Sequence, residues 1–324
     1  MTLAEKVNVS ACLSQAYARM KGLLFPFSLK KWITLGFCSW AVTLGESGSN
    51  SGNWDKLGKT AGMKNESGQT VLEMLNTIFW GDGSIFERIA GILQMQADTI
   101  QLIFHIGIAA AVFILLLAVV IAYFKGRMCF VWLDNLINNR AEVQNAYRKY
   151  EKPGVGFFKG KLYIDIWYYL ISLLLWGITL WPGIQYLRES ARMGEWGSFN
   201  SALASCMILG AVLAILNILV LFYLKLLFDF APLIMYKEGL SFNEAWSAFN
   251  HMLFCRKIQF VKYYFFYWLV NLAAGVLLVL LLVCSCCILL FPLVLPVIGA
   301  TMLLPWHVTG SYLTIEFYEV LTGE

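Results

Sequence analysis

The sequence predicts an all-α fold, a polytopic transmembrane helix bundle of five or six spans with amphipathic interfacial helices. Three observations lead there. Of 324 residues 59% are apolar and only 14% charged, where soluble domains run near a quarter charged. The apolar residues are gathered into long runs, and residues 263–315 are 53 consecutive positions without Asp, Glu, Lys or Arg. About 20 apolar residues cross a hydrocarbon core of about 30 Å, so that run holds two crossings and a tight turn. Lastly, the basic residues favour some of the segments between runs over others, as orientation signals do. The chain reads as a single integral membrane domain over residues 1–324. Nucleic-acid binding is not expected, because the cations sit in connections between spans.

Along the chain, residues 1–31 hold Lys6, Arg19, Lys21, Lys30 and Lys31 against the single acid Glu5. Leu13, Tyr17, Met20 and Leu24 recur there at helical spacing, which predicts a short cytoplasmic helix on the membrane surface with its basic side towards headgroups. A secretory signal is not expected, since some thirty residues precede the first apolar run and no small-x-small cleavage site follows it. That run, Trp32 to Gly45, is 14 residues long and would reach about 21 Å, short of the hydrocarbon core. It is a tilted interfacial segment, a re-entrant piece or a crossing of thinned bilayer. Gly, Ser and Asn dominate residues 46–70, which read as a flexible loop. Residues 71–80 are amphipathic. Ser84 and Glu87 make a capping box, and Ile85, Phe86, Ile89, Ile92 and Leu93 form one apolar stripe behind it. Long spans follow at about 100–124, 163–187, 201–228, 263–290 and 297–318, the last two turning near Pro292 and Pro296. Trp167, Tyr168 and Tyr169 mark one end of the second long span, and Trp176, Trp181 and Tyr186 approach the other, at headgroup level.

Charge sets the orientation. Residues 125–162 carry eight basic residues and three acids, and residues 229–262 carry four and three; residues 46–99 carry four basic residues and seven acids. The positive-inside rule places the first two segments in the cytoplasm, 46–99 outside, and both termini inside an inner, plasma membrane. Six crossings, or a deep re-entrant first segment, keep the basic N-terminus inside; five would put it outside.

Candidate chemistry is sparse, and no enzyme is expected. Gly154-Val-Gly156-Phe-Phe-Lys-Gly160 has the look of a phosphate loop, but its spacing is one residue long and no strand precedes it, so it reads as a loop leading into a span. His105, His251 and His307 join no nucleophile–base–acid pattern. Cys284-Ser-Cys286-Cys287 lacks a second ligand pair for a metal. The 46–99 loop has no cysteine, which argues against a disulfide framework. No cofactor is expected. Polar residues inside spans are costly and face partners or cavities. Asp165 is expected to close a headgroup-level ion pair with Lys159 or Lys161. Asp229 pairs with Lys225 one turn earlier or serves amides freed by Pro232. Asn217 and Asn271 are candidates for helix–helix hydrogen bonds, worth about 0.6–2 kcal/mol each. Ser241 and Glu244 form a second capping box. Phe242, Ala245, Trp246, Phe249 and Leu253 then make an aromatic stripe, followed by Arg256, Lys257 and Lys262. That helix either lies on anionic lipid or caps the bundle.

These residues also carry a resemblance. Phe25-Pro-Phe-Ser-Leu-Lys-Lys-Trp32, Gly126-Arg127-Met-Cys-Phe130, Asp134-Asn135, Asn139-Arg140, Tyr147-Arg148 with Tyr150, Asp229-Phe-Ala-Pro232-Leu-Ile-Met-Tyr236 and Phe242-Asn-Glu-Ala-Trp246 resemble an uncharacterised family of bacterial multi-pass membrane proteins, a domain of unknown function. The likeness runs over nearly the whole chain. His307 and Gly310 depart from it, standing where members tend to be aromatic or basic. It implies the architecture and no activity. The expected role is therefore non-enzymatic binding, to anionic lipid through Arg256, Lys257 and Lys262 or to a membrane-protein partner. The alternative is a small-solute transporter or permease subunit, with Asp229, Asn217 and Asn271 near its path.

Overall fold

The computed structural model describes residues 8–44, 87, 96–193, 201–285 and 290–323, and every element among them is an α-helix. In chain order these are α1 (Val9–Leu24), α2 (Leu29–Thr43), α3 (Ala97–Ile137), α4 (Gln144–Lys149), α5 (Glu151–Met193), α6 (Ser201–Glu238), α7 (Phe242–Cys255), α8 (Lys257–Cys284), α9 (Leu290–Val294), α10 (Pro296–Met302) and α11 (Leu304–Thr322). The Gly/Ser/Asn-rich segment, the 71–80 segment, the Ser84 cap with its stripe, and Cys286 and Cys287 lie outside the described residues.

Among the described residues, four helices are long and apolar enough to cross a membrane, over Gln101–Ile137, Glu151–Gln185, Ala204–Glu238 and Lys257–Cys284. Almost none of their most apolar windows is buried within the chain. Leu115, Leu173, Ile208 and Leu280, for instance, are all exposed. Burying an aliphatic side chain of this size is worth about 1.5–3 kcal/mol, so such bare surfaces are tolerable only against lipid or a partner. These helices support a membrane location.

The helices outrun the apolar segments that announced them. Residues 125–162 read as a basic loop, yet α3 continues to Ile137 and α5 begins at Glu151, so the true connection is 138–150. The reason is burial: Met128, Phe130, Val131, Leu133 and Leu136 are core residues, and their polar neighbours face other helices instead of solvent. The Gly154–Gly160 segment is likewise helical and not a loop. Its glycines permit close packing: a Cβ on Gly154 would meet the Arg127 Cα at 2.9 Å, and one on Gly160 would clash with the Phe242 ring. The 297–318 run is no continuous span. It breaks at Leu303, ahead of Pro305, into α10 and α11, and neither piece is among the four candidates. Nor does the short α2 qualify.

The chain divides into two compact units, Met1–Ser47 with 121–164 and 222–324, and 48–120 with 165–221. In the first, α6, α7, α8 and α11 meet on an aromatic core. The rings of Phe230, Phe249, Phe260, Tyr263 and Phe317 are all buried, with centroids 4.5 Å apart for Tyr263–Phe317 and 5.3 Å for Phe230–Phe260. Such pairs add about 0.5–1.5 kcal/mol each beyond the area they bury. In the second unit, α5 and α6 are joined by Asn217.

Helix α1 corrects an expectation. Its buried residues are Val9, Cys12, Ala16, Met20, Leu23 and Leu24, while Tyr17 is 58% exposed. Met20 and Leu24 of the stripe read from sequence are therefore buried, while Leu13 is half-buried and Tyr17 exposed; the small Cys12 and Ala16 take the buried positions on the earlier turns, where they let helices approach closely. The buried face of α1 packs on α11 of the same chain.

Candidate functional site

The predicted lipid-contact residues sit where α7 turns into α8. Ser241 and Glu244 form the expected capping box: the Glu244 carboxylate accepts the Ser241 amide at 2.8 Å and its hydroxyl at 2.8 Å. Those two bonds hold the Glu244 carboxyl below its ordinary range, the amide contributing most. From that start α7 lays Phe242, Ala245 and Phe249 into the protein core. Trp246 Nε1 donates to the Tyr223 hydroxyl at 2.6 Å, which itself donates to Asn250 at 2.7 Å. Of the two readings open for α7, its aromatic stripe takes the capping one.

What remains outward is the junction. Arg256 links the two helices, its amide closing on Met252 and its carbonyl accepting from Gln259. Lys257 and Lys262 are exposed. Beside them in sequence Phe254 is 68% and Ile258 72% exposed, with Val261 and Phe265 exposed as well. The Lys257 ammonium stands 4.9 Å from the centre of the Phe254 ring, so cation and apolar surface are adjacent.

The polar residues proposed for a path are each otherwise engaged. Asn217 Oδ1 accepts the Tyr168 hydroxyl at 3.0 Å and the Ser172 hydroxyl at 2.9 Å, while its amide donates to Leu213. That is a helix–helix clasp between α5 and α6. Asp229 bonds Lys225 at 3.0 Å in the i,i+4 arrangement. Asn271 donates to the Tyr267 carbonyl of its own helix at 2.7 Å, instead of reaching across to another. Asn217 and Asp229 are twelve residues apart on α6, about 18 Å along the helix.

Sequence reading missed the densest polar cluster. Asp134, 7% exposed, accepts on one carboxylate oxygen from Tyr150 at 2.8 Å, Tyr236 at 2.9 Å and Asn138 at 3.0 Å. Burial pushes the Tyr150 phenol up, which keeps it a donor. One residue on, buried Asn135 clasps Glu142 in both directions, amide to carbonyl at 2.9 Å and carbonyl from amide at 2.8 Å. The 138–150 connection is thereby tied to α3 and α6. Arg127 stacks 3.7 Å from the centre of the Tyr147 ring and donates to the Tyr147 carbonyl at 2.8 Å. A second network joins the ends of the chain: Arg19 meets Glu316 at 2.6 Å and Glu319 at 2.9 Å, and Lys237 meets Glu319 at 2.9 Å.

One serine–histidine pair also appears, with Ser39 Oγ and His307 Nδ1 sharing a 2.5 Å hydrogen bond. Nucleophilic chemistry needs an approachable hydroxyl and donors for a developing oxyanion. Ser39 is 2% exposed and sits inside α2, whose interior amides are spent on the helix. The pair reads as a bolt between α2 and α11.

A family profile matches residues 9–321, nearly the whole chain. The chain belongs to DUF7544, a family of unknown function. Among curated proteins and solved structures, none matches the chain. The DUF7544 match assigns neither an organism nor a membrane. In this DUF7544 protein, many residues that carried the sequence resemblance are packing residues of the first unit: Arg127 on Tyr147, Asp134 under Tyr150 and Tyr236, and Phe242 against Gly160.

Proposed function

We propose that this chain is a non-enzymatic, multi-pass protein of the plasma (inner) membrane that works by binding, holding anionic lipid at its cytoplasmic face or joining a membrane complex. The observation that carries the reading is the α7–α8 junction. There Arg256, Lys257 and Lys262 accompany exposed Phe254, Ile258 and Val261. Apolar groups beside cations suit the boundary between acyl chains and anionic headgroups. No cofactor and no nucleic acid enter this reading.

Six crossings follow from charge and parity. The positive-inside rule puts 125–162 and 229–262 in the cytoplasm. Arg19 and Lys237 share Glu319, which ties α1 and α11 to the end of α6 on that side. With α3, α5, α6 and α8 crossing once each, a basic N-terminus inside calls for a further crossing or a deep re-entrant segment at the first apolar run, and a C-terminus inside calls for a return across the membrane at the last apolar run.

The test is binding of the detergent-solubilised protein to anionic liposomes. Arg256→Glu, Lys257→Glu and Lys262→Glu together should weaken it by about a hundredfold or more, at about 1 kcal/mol per cation. Unchanged binding would remove lipid recognition at this junction. The alternative, a small-solute transporter or permease subunit, gains support only if Asp229→Asn and Asn271→Leu fold normally yet abolish an uptake phenotype. The engagement of Asn217 and Asp229 with neighbouring side chains favours the binding reading.

A further inference from the structure

A separate feature lies at the start of α5. Arg148 and Lys149 on α4 and Lys152 and Lys159 on α5 line an open hollow of about 750 Å³, together with Glu151, Pro153, Val155 and Gly156. All four cations are exposed. The fifth charged residue at the rim, Glu151, faces Arg127 at 3.7 Å. Among the described residues no carboxylate stands within ion-pairing distance of Arg148, Lys149, Lys152 or Lys159. Four like charges around one concavity repel each other, and a polyanion seated among them removes that repulsion. Lys152 and Lys159, seven residues apart, stand about 10 Å apart along one helix face. Lys and Arg together favour phosphate oxygens.

We infer that this hollow is a binding site for a phosphate-bearing anion, supplied either by an acidic phospholipid headgroup or by a soluble polyphosphate. It deepens the binding reading above but uses different residues, so the two fail separately.

The experiment uses the full chain in nanodiscs. In one arm the discs are pure phosphatidylcholine and inorganic pyrophosphate is titrated by calorimetry. In the other, phosphatidic acid is mixed in and its retention is measured by native mass spectrometry. The double variant Lys152→Gln/Lys159→Gln should bind the effective probe roughly twenty-five-fold more weakly, at about fivefold per cation, and Lys152→Arg/Lys159→Arg should restore it. Pyrophosphate binding in neutral discs identifies a soluble ligand; retention of phosphatidic acid alone identifies a headgroup. Equal affinity of wild type and the Gln variant for both probes overturns the site. So does an equal loss from Lys257→Gln/Lys262→Gln, which would show a general positive field and no local site. A loss at Lys257 and Lys262 with none at Lys152 and Lys159 leaves the α7–α8 reading standing and removes this one.

Discussion

Tyr236→Phe removes one hydroxyl and nothing else, and the structure sets what that costs. The hydroxyl donates to the Asp134 carboxylate at 2.9 Å and accepts from Asn138 at 3.0 Å. Asp134 is almost wholly shielded from water, so solvent does not replace the lost donor. Hydrogen bonds to charged groups contribute about 1.5–3 kcal/mol, and the single variant should lose that much unfolding free energy. Tyr150→Phe should lose a similar amount. Both hydroxyls serve the same oxygen, so the double variant leaves the carboxylate with the Asn138 amide as its remaining side-chain donor. Its loss should exceed the sum of the singles by about 1 kcal/mol, as coupled buried groups do. The assay is reversible unfolding in mixed micelles, followed by helical signal. Tyr147→Phe is the control: its ring packs under Arg127, and losing its hydroxyl should change stability by less than about 0.5 kcal/mol. A Tyr236→Phe loss below that control's range, or strict additivity of the pair, would refute a carboxylate that depends on both phenols.

Three further outcomes are expected. Phe230→Ala, at the centre of the aromatic core, should cost about 3–5 kcal/mol in the same unfolding assay. Gly160→Leu would drive its Cβ into the Phe242 ring; α7 should undock, and a protease should cleave near Ser241 faster than in wild type. Glu244 has a folded pKa below its ordinary value, so its contribution is complete above the ordinary carboxylate range and is lost as pH falls through the depressed value. Thermal stability should therefore fall in that acidic window, and Glu244→Gln should flatten that part of the pH profile.

Local signals were legible in the sequence and long-range ones were not. The Ser241–Glu244 box and the Lys225–Asp229 pair each join residues about one helical turn apart, and both occur as spacing predicts. Apolar runs near 100–124, 163–187 and 201–228 marked three helices, but their polar continuations looked like loops. Arg127, Asp134 and Asn135 are buried against other helices, and nothing in a neighbouring stretch of sequence announces that. The Asp134–Tyr236 bond spans 102 residues and the Ser39–His307 bond 268, separations at which periodicity carries no information. In α1 Met20 and Leu24 are buried as the spacing predicts, but the small Cys12 and Ala16 are buried where the larger Tyr17 is exposed, because the close approach of a neighbouring helix favours small side chains there.

The most direct test of a binding protein is what it keeps. The chain, tagged at its C-terminus and purified in a mild detergent or nanodisc, should carry an acidic lipid enriched over the bulk membrane, or a stoichiometric membrane-protein partner. An enriched lipid should diminish with Arg256→Glu, Lys257→Glu and Lys262→Glu. A lipid complement identical to the bulk, unmoved by those substitutions and without any partner, would contradict the account.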